Sequence, residues 1–97
     1  MILEAAVMTI IPGLEEQFLV ALETARESVL AQAPGWLGLE VRRGIERPNS
    51  YLLFLSWATL EDHTVTFRGG ELFVAWRAML GPYFAEPPVV EHWAEVP

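Results

Sequence analysis

Hydrophobic residues change their spacing several times along these 97 residues, and each change marks a new element. From Ile2 to Ile11 nearly every side chain is apolar and only Glu4 is charged, which predicts a strand apolar on both faces. Pro12-Gly13 ends it. Leu14, Phe18, Ala21, Leu22, Ala25, Val29 and Ala33 then recur at helical intervals, with Glu15, Glu16, Glu23, Arg26 and Glu27 on the other side. Pro34-Gly35 stops that helix. Trp36 to Glu46 alternates: Leu37, Leu39, Val41 and Ile45 share one face, Glu40, Arg42, Gly44 and Glu46 the other. Arg47-Pro48-Asn49-Ser50 reads as a turn, and Tyr51 to Ala58 as the second strand of a hairpin.

Thr59-Leu60-Glu61-Asp62 has the form of a capping box, a hydroxyl at the helix cap with an acid three residues later. A short helix from there would carry His63 and Phe67 on one face, since positions i and i+4 align. Gly69-Gly70 interrupts it. Leu72, Phe73, Trp76, Met79 and Leu80 resume helical spacing as far as Gly81-Pro82. After Pro87-Pro88, Val89 to Val96 alternates again, with Val90, His92, Ala94 and Val96 on one face. The order β-α-β-β-α-β predicts a single α+β domain over residues 1–97. It would be a ferredoxin-like antiparallel sheet with both helices on one face. The first and third strands are apolar on both sides, so the uncovered sheet face needs a cover. A second copy of the same sheet supplies one, predicting a homodimer closed around a barrel-like interior.

Composition narrows the chemistry. Thirteen acids face six arginines, for a net charge of −7, which excludes the basic surface that nucleic acids require. There is no Cys, so thiolate nucleophiles, disulfides and iron–sulfur ligation are excluded. There is no Lys, so Schiff-base chemistry is excluded as well. Apolar residues make up 53% of the chain, yet no apolar run approaches the ~20 residues of a membrane span. Met1-Ile2-Leu3-Glu4 does not have the basic-then-apolar form of a secretory leader. A cytoplasmic protein that does not engage membranes is the expectation.

Ten of the eleven aromatic residues and both histidines follow Gly35. A small domain hides few large rings in its own core, so this half is where a ligand pocket is expected. Trp57, Phe67, Phe73, Trp76, Tyr83 and Phe84 are candidate walls for a small apolar or aromatic ligand, and most of them are equally the residues a packed core would use. Trp57 and Tyr83 stand next to chain breaks where a pocket rim would form. His92 and His63 are candidate bases, because a neutral imidazole titrates near physiological pH. The structural alternative is a buried, satisfied His92 and a surface His63. Arg68 and Arg77 either pair with nearby acids such as Glu71 and Glu61 on a solvated surface, or one of them anchors an anionic substrate group. Glu4 lies at a frayed strand end or pairs across an interface. Spacings such as H-E-x-x-H are missing, so no metal site is expected. Nucleophile elbows, phosphate loops and dinucleotide fingerprints are missing too.

Trp57-x5-His63-x3-Phe67-Arg68, Phe73-x2-Trp76-Arg77 and Pro88-x-Val90-x-His92 together resemble the antibiotic biosynthesis monooxygenase (ABM) family of dimeric α+β barrels. The resemblance runs over essentially the whole chain. It implies a homodimer with a pocket in each subunit between sheet and helices. The implied activity is a cofactor-independent monooxygenation of a small aromatic, quinol- or anthrone-like substrate, in which the substrate anion reacts with O2 directly. His92, His63 and Tyr83 would serve catalysis, and Trp57, Phe67, Phe73, Trp76 and Arg77 would hold the substrate. The haem-degrading branch of the family carries an Asn on the first strand, a Trp and a ligating His. Here the first strand has no Asn, the Trp position is Phe67 and the His position is Arg77, so no haem and no other cofactor is expected. The alternative is a barrel dimer that binds a metabolite or only assembles, without catalysis.

Overall fold

The computed structural model describes residues 1–97. Four strands, β1 (Ile2–Thr9), β2 (Trp36–Arg43), β3 (Ser50–Trp57) and β4 (Val89–Ala94), form one antiparallel sheet in the order β2-β3-β1-β4. Helices α1 (Glu15–Ser28) and α2 (Glu71–Leu80) cover one face, giving the ferredoxin-like α+β arrangement. Between β3 and α2 runs a π-helical turn, Asp62–Phe67.

Strand β1 shows how the two-sided pattern resolves. Glu4, Ala6, Met8 and Ile10 are buried and point to the helices. Their partners on β3 point the same way: Glu4 opposes Leu55, Ala6 opposes Leu53 and Met8 opposes Tyr51. Phe18, Leu22 and Ala25 of α1 and Trp76 and Leu80 of α2 close this layer into the core. The intervening residues face away from the helices. Leu3, Ala5 and Val7 of β1 meet Leu52, Phe54 and Ser56 of β3 there, with Val89 and Trp93 of β4 more than half exposed. Glu40, Arg42 and Glu91 fringe this otherwise apolar sheet surface.

Several boundaries differ from the sequence pattern. Helix α1 stops at Ser28, and Leu30–Gln32 tightens into a 3-10 turn before Gly35. The hairpin turn begins at Gly44, because Gly44 N–H bonds the Ser50 carbonyl at 2.7 Å and Ser50 N–H bonds the Arg47 carbonyl at 2.9 Å. Ile45, expected inside, therefore sits on the turn and is 88% exposed. Strand β4 ends at Ala94, leaving Val96 outside the sheet.

The capping box after β3 forms as the sequence indicates. Asp62 N–H donates to Thr59 Oγ1 at 3.1 Å, and Thr59 N–H donates to Asp62 Oδ2 at 3.2 Å. The turn it starts is wound wider than an α-helix: Arg68 N–H reaches back five residues to the His63 carbonyl at 3.0 Å. Gly35 makes room for it. Its φ is +79°, and a Cβ there would collide with the Asp62 carboxylate.

Candidate functional site

A cavity of about 880 Å³ opens between the helix-facing side of β1 and β4, the π-helical turn and α2. Its walls are largely apolar, with Met8, Leu55, Phe67, Phe73, Trp76 and Phe84 among them. Seven of the candidate residues from the sequence line it: His63, Phe67, Arg68, Phe73, Trp76, Arg77 and Phe84. Phe67 is the hub of the ring cluster. Its centroid lies 5.3 Å from Trp57, 5.7 Å from Phe73 and 6.3 Å from Trp76, the last two edge-on.

The polar end of the cavity is a chain of three titratable groups. Glu4 enters from β1, His63 from the π-helical turn and His92 from β4, where it is the direct partner of Glu4. His63 Nε2 is 3.3 Å from Glu4 Oε1. His63 Nδ1 is 2.7 Å from His92 Nε2. Trp57 fixes the carboxylate by donating its indole N–H to Glu4 Oε1 at 2.9 Å. Trp57 also stacks on the imidazole of His63, with centroids 5.1 Å apart. Glu4 and His63 are both buried, and His92 is half-buried on the edge strand.

Burial sets the electrostatics. It pushes the Glu4 carboxyl above its ordinary range, against the pull of the Trp57 hydrogen bond and the Arg68 charge. It lowers His63 to about 4, reinforced by the positive charge of Arg68 and by His92. His92 is lowered too, by burial first and Arg68 second. His63 is therefore a neutral imidazole at neutral pH, with one N–H and one lone pair to place.

Two proton arrangements satisfy the chain. In one, Glu4 is ionised, His63 Nε2–H donates to it, and His92 Nε2–H donates to His63 Nδ1. In the other, Glu4 is protonated and donates to Nε2, and Nδ1–H donates to His92. Passing from the second to the first delivers a proton from the buried carboxyl to His92 at the sheet edge. At 2.7 Å the facing nitrogens of His63 and His92 are engaged with each other in a hydrogen bond. No group of three or more His, Asp or Glu side chains is placed to hold a metal ion.

Other sequence expectations change. His63 does not lie at the surface; it is buried on the same side as Phe67, four positions on. Glu4 is not frayed, and its partners are within the same chain. Trp57 is fully buried behind His63 rather than on a rim; it does not line the cavity and reaches the site through Glu4, His63 and Phe67. Tyr83 is half-buried in the 3-10 turn Gly81–Tyr83 and does not line the cavity; the adjacent Phe84 does. His92 is not a lining residue either and connects through His63. Arg68 and Arg77 do not pair with Glu61 and Glu71. No carboxylate lies within 4.0 Å of either guanidinium, and both residues line the cavity. Glu4 is the functional group that pattern alone left out.

The model of the antibiotic biosynthesis monooxygenase family matches residues 1–79. YczJ of Bacillus subtilis, an uncharacterised protein, is 35% identical over 96 residues, covering 99% of this chain and 100% of its own. The crystal structure of a Bordetella bronchiseptica protein, provisionally assigned as an antibiotic biosynthesis monooxygenase, is 38% identical. It superimposes with a TM-score of 0.93 over 98% of this chain and 96% of that one. SnoaB of Streptomyces nogalater, a cofactor-independent oxygenase, has the same fold with a TM-score of 0.82. It is 14% identical, over 99% of this chain and 93% of its own. With a family match over most of its length and two relatives above 30% identity along nearly all of it, the chain belongs to the antibiotic biosynthesis monooxygenase family.

Proposed function

We propose that the protein is a cofactor-independent monooxygenase that oxidises a small hydroxylated aromatic, of quinol or anthrone type, in the cavity of each subunit of a homodimer. The observation that carries this reading is the Glu4–His63–His92 chain: a buried base with a relay behind it, opening on an aromatic-walled cavity. The name of SnoaB supports the reaction class for a chain of this fold.

The chemistry asks little of the protein beyond a base, a dry pocket and orientation. An anthrone-like substrate loses a proton to the Glu4–His63 pair and becomes an electron-rich anion. The anion gives one electron to O2, leaving a substrate radical and superoxide. Their recombination forms a C–O bond, and the resulting peroxide takes back a proton. Loss of the remaining hydrogen on that carbon, with cleavage of the O–O bond, yields the ketone and one water. A raised Glu4 pKa makes the carboxylate a stronger base than an exposed one. Phe67, Phe73 and Trp76 would stack on the ring.

The dimer follows from the second sheet face. Leu3, Ala5, Val7, Leu52 and Phe54 form an apolar strip that no helix of this chain covers. At about 25 cal/mol per Å² of apolar surface, pairing two such strips is a substantial gain for a domain whose net stability is about 5–15 kcal/mol. No helix is long and apolar enough to cross a membrane.

Oxygen uptake with a panel of hydroquinones and anthrones tests the activity, comparing wild type with the double variant His63→Ala, His92→Ala. Turnover in the wild type that the double variant loses is the expected result. Ligand binding with no oxygen uptake would overturn it in favour of a sequestering, non-catalytic dimer.

A further inference from the structure

The cavity is charged differently from the molecule around it. Two of the six arginines line it, against only two of the thirteen acids, in a chain of net charge −7. Of those two acids, Glu4 is buried with its carboxylate held by Trp57 and His63, and Glu86 is exposed on the Phe84–Pro88 segment. Elsewhere, Arg26 and Arg42 have carboxylate partners, Arg43 is held by the Tyr51 hydroxyl, and Arg47, away from the cavity, has no carboxylate within 4.0 Å. Arg68 and Arg77 have none within 4.0 Å, although the chain is rich in acids that would pair with them.

Their positions are set by separate elements. Arg68 caps the end of the π-helical turn, and its charge acts on Glu4, His63 and His92 at once. Arg77 is in the last turn of α2, with its guanidinium carbon 5.8 Å from the centroid of Phe73, itself a cavity wall. A neutral aromatic ligand would strip water from these guanidinium groups and give nothing back. A ligand with its own anion would replace that water with charge-assisted hydrogen bonds.

We infer that the ligand of this cavity is an aromatic acid: a ring system bearing a carboxylate or an equivalent permanent anion, with Arg68 and Arg77 as its counter-charges. The rings Phe67, Phe73 and Trp76 take the aromatic part. The inference rests on the reading of this cavity as the substrate site, and it narrows the substrate from quinols in general to those that carry an acid.

Calorimetry with 2-naphthoate and its neutral near-isostere 2-naphthamide tests it. The wild type binds the carboxylate about tenfold or more tightly than the amide, as charge-assisted hydrogen bonds imply, and the preference weakens with added salt. Arg68→Gln and Arg77→Gln each reduce the preference, and the double variant abolishes it. Both side chains are solvent-exposed, so circular dichroism stays unchanged. Equal affinity for the amide, an undiminished preference in the double variant, or binding of neither probe overturns the inference. Oxygen uptake on neutral quinols, run in parallel, keeps the two readings apart. Uptake without any preference for the acid removes this inference and leaves the oxygenase standing. A preference for the acid without uptake does the reverse.

Discussion

Trp57 donates its indole N–H to Glu4 Oε1 over 2.9 Å, tying the last residue of β3 to the second residue along from its direct partner on β1. The bond satisfies a buried carboxylate and fixes the oxygen that His63 also faces. Trp57→Phe keeps most of the ring and removes the donor. It should cost about 2–4 kcal/mol, combining a lost hydrogen bond to a charged group with a small void, as read from urea denaturation. The Glu4 pKa should rise further, since the bond that lowers it is gone. A carboxyl titration followed by NMR checks this.

Glu4→Gln separates chemistry from stability. The amide oxygen, standing in the place of Oε1, still accepts from the Trp57 indole and can accept from His63 Nε2–H, while the amide nitrogen takes the place of Oε2. Stability should stay within about 1 kcal/mol of wild type, because a buried charge is removed while its hydrogen bonds remain. Turnover on a competent quinol should fall about 100-fold, the usual effect of losing a general base.

His63 makes the fold sensitive to acid. Its pKa drops from an ordinary 6.5 to about 4 in the folded protein, so between these values the unfolded chain binds the extra proton and the native state does not. Stability from this group is fully present above about 6.5 and is lost as pH falls towards 4. Glu4 has the opposite sign: its raised pKa makes the native state the better proton binder above 4.5, so its contribution is lost as pH rises through the raised value. Urea midpoints of wild type and His63→Gln should therefore converge or cross as pH is lowered from 6.5 to 4, with wild type losing ground. Parallel curves would contradict the burial of a neutral imidazole.

Gly35 and Asp62 are coupled by contact. Gly35→Ala meets both a φ of +79° and the carboxylate that caps the π-helical turn. It should cost at least about 2 kcal/mol in denaturant unfolding and should disturb the near-UV signal of the rings around His63. Gly81→Ala is the control. A Cβ there meets nothing within 4 Å and the backbone is helical, so stability should hold or rise by a few tenths of a kcal/mol.

Phe54→Asp places a charge at the middle of the uncovered sheet strip, opposite Ala5. Sedimentation at micromolar concentration should show a dimer for wild type and a monomer for the variant, with the helix-side core intact.

The order of elements is readable from the sequence because Pro12-Gly13, Pro34-Gly35 and Gly81-Pro82 punctuate clear changes of period. The inward turn of Glu4 was not readable. Its parity with Ala6, Met8 and Ile10 is visible, but in a strand apolar on both sides nothing marks which parity meets the helices. The Thr59/Asp62 box announces where the turn after β3 begins, whereas its winding depends on which carbonyl Arg68 finds. The pairing expected for Arg68 and Arg77 followed from near neighbours in sequence. In the folded chain those acids point elsewhere, and the two cations are left to the cavity. Trp57 and Tyr83 stand beside chain breaks, and adjacency to a break says little about which way a ring turns.

The π-helical turn also has a bearing on sequence length. Its wide loop holds one residue more than an α-helix would need between His63 and Arg68. Deleting a single position among Thr64, Val65 and Thr66 would take up that slack and leave Arg68 N–H four positions after the His63 carbonyl, the spacing of ordinary helix. His63 and Phe67 would then stand three positions apart instead of four, still on one side of the helix. A chain one residue shorter here could therefore keep an imidazole and a phenyl ring on the cavity side and give up only the wide turn.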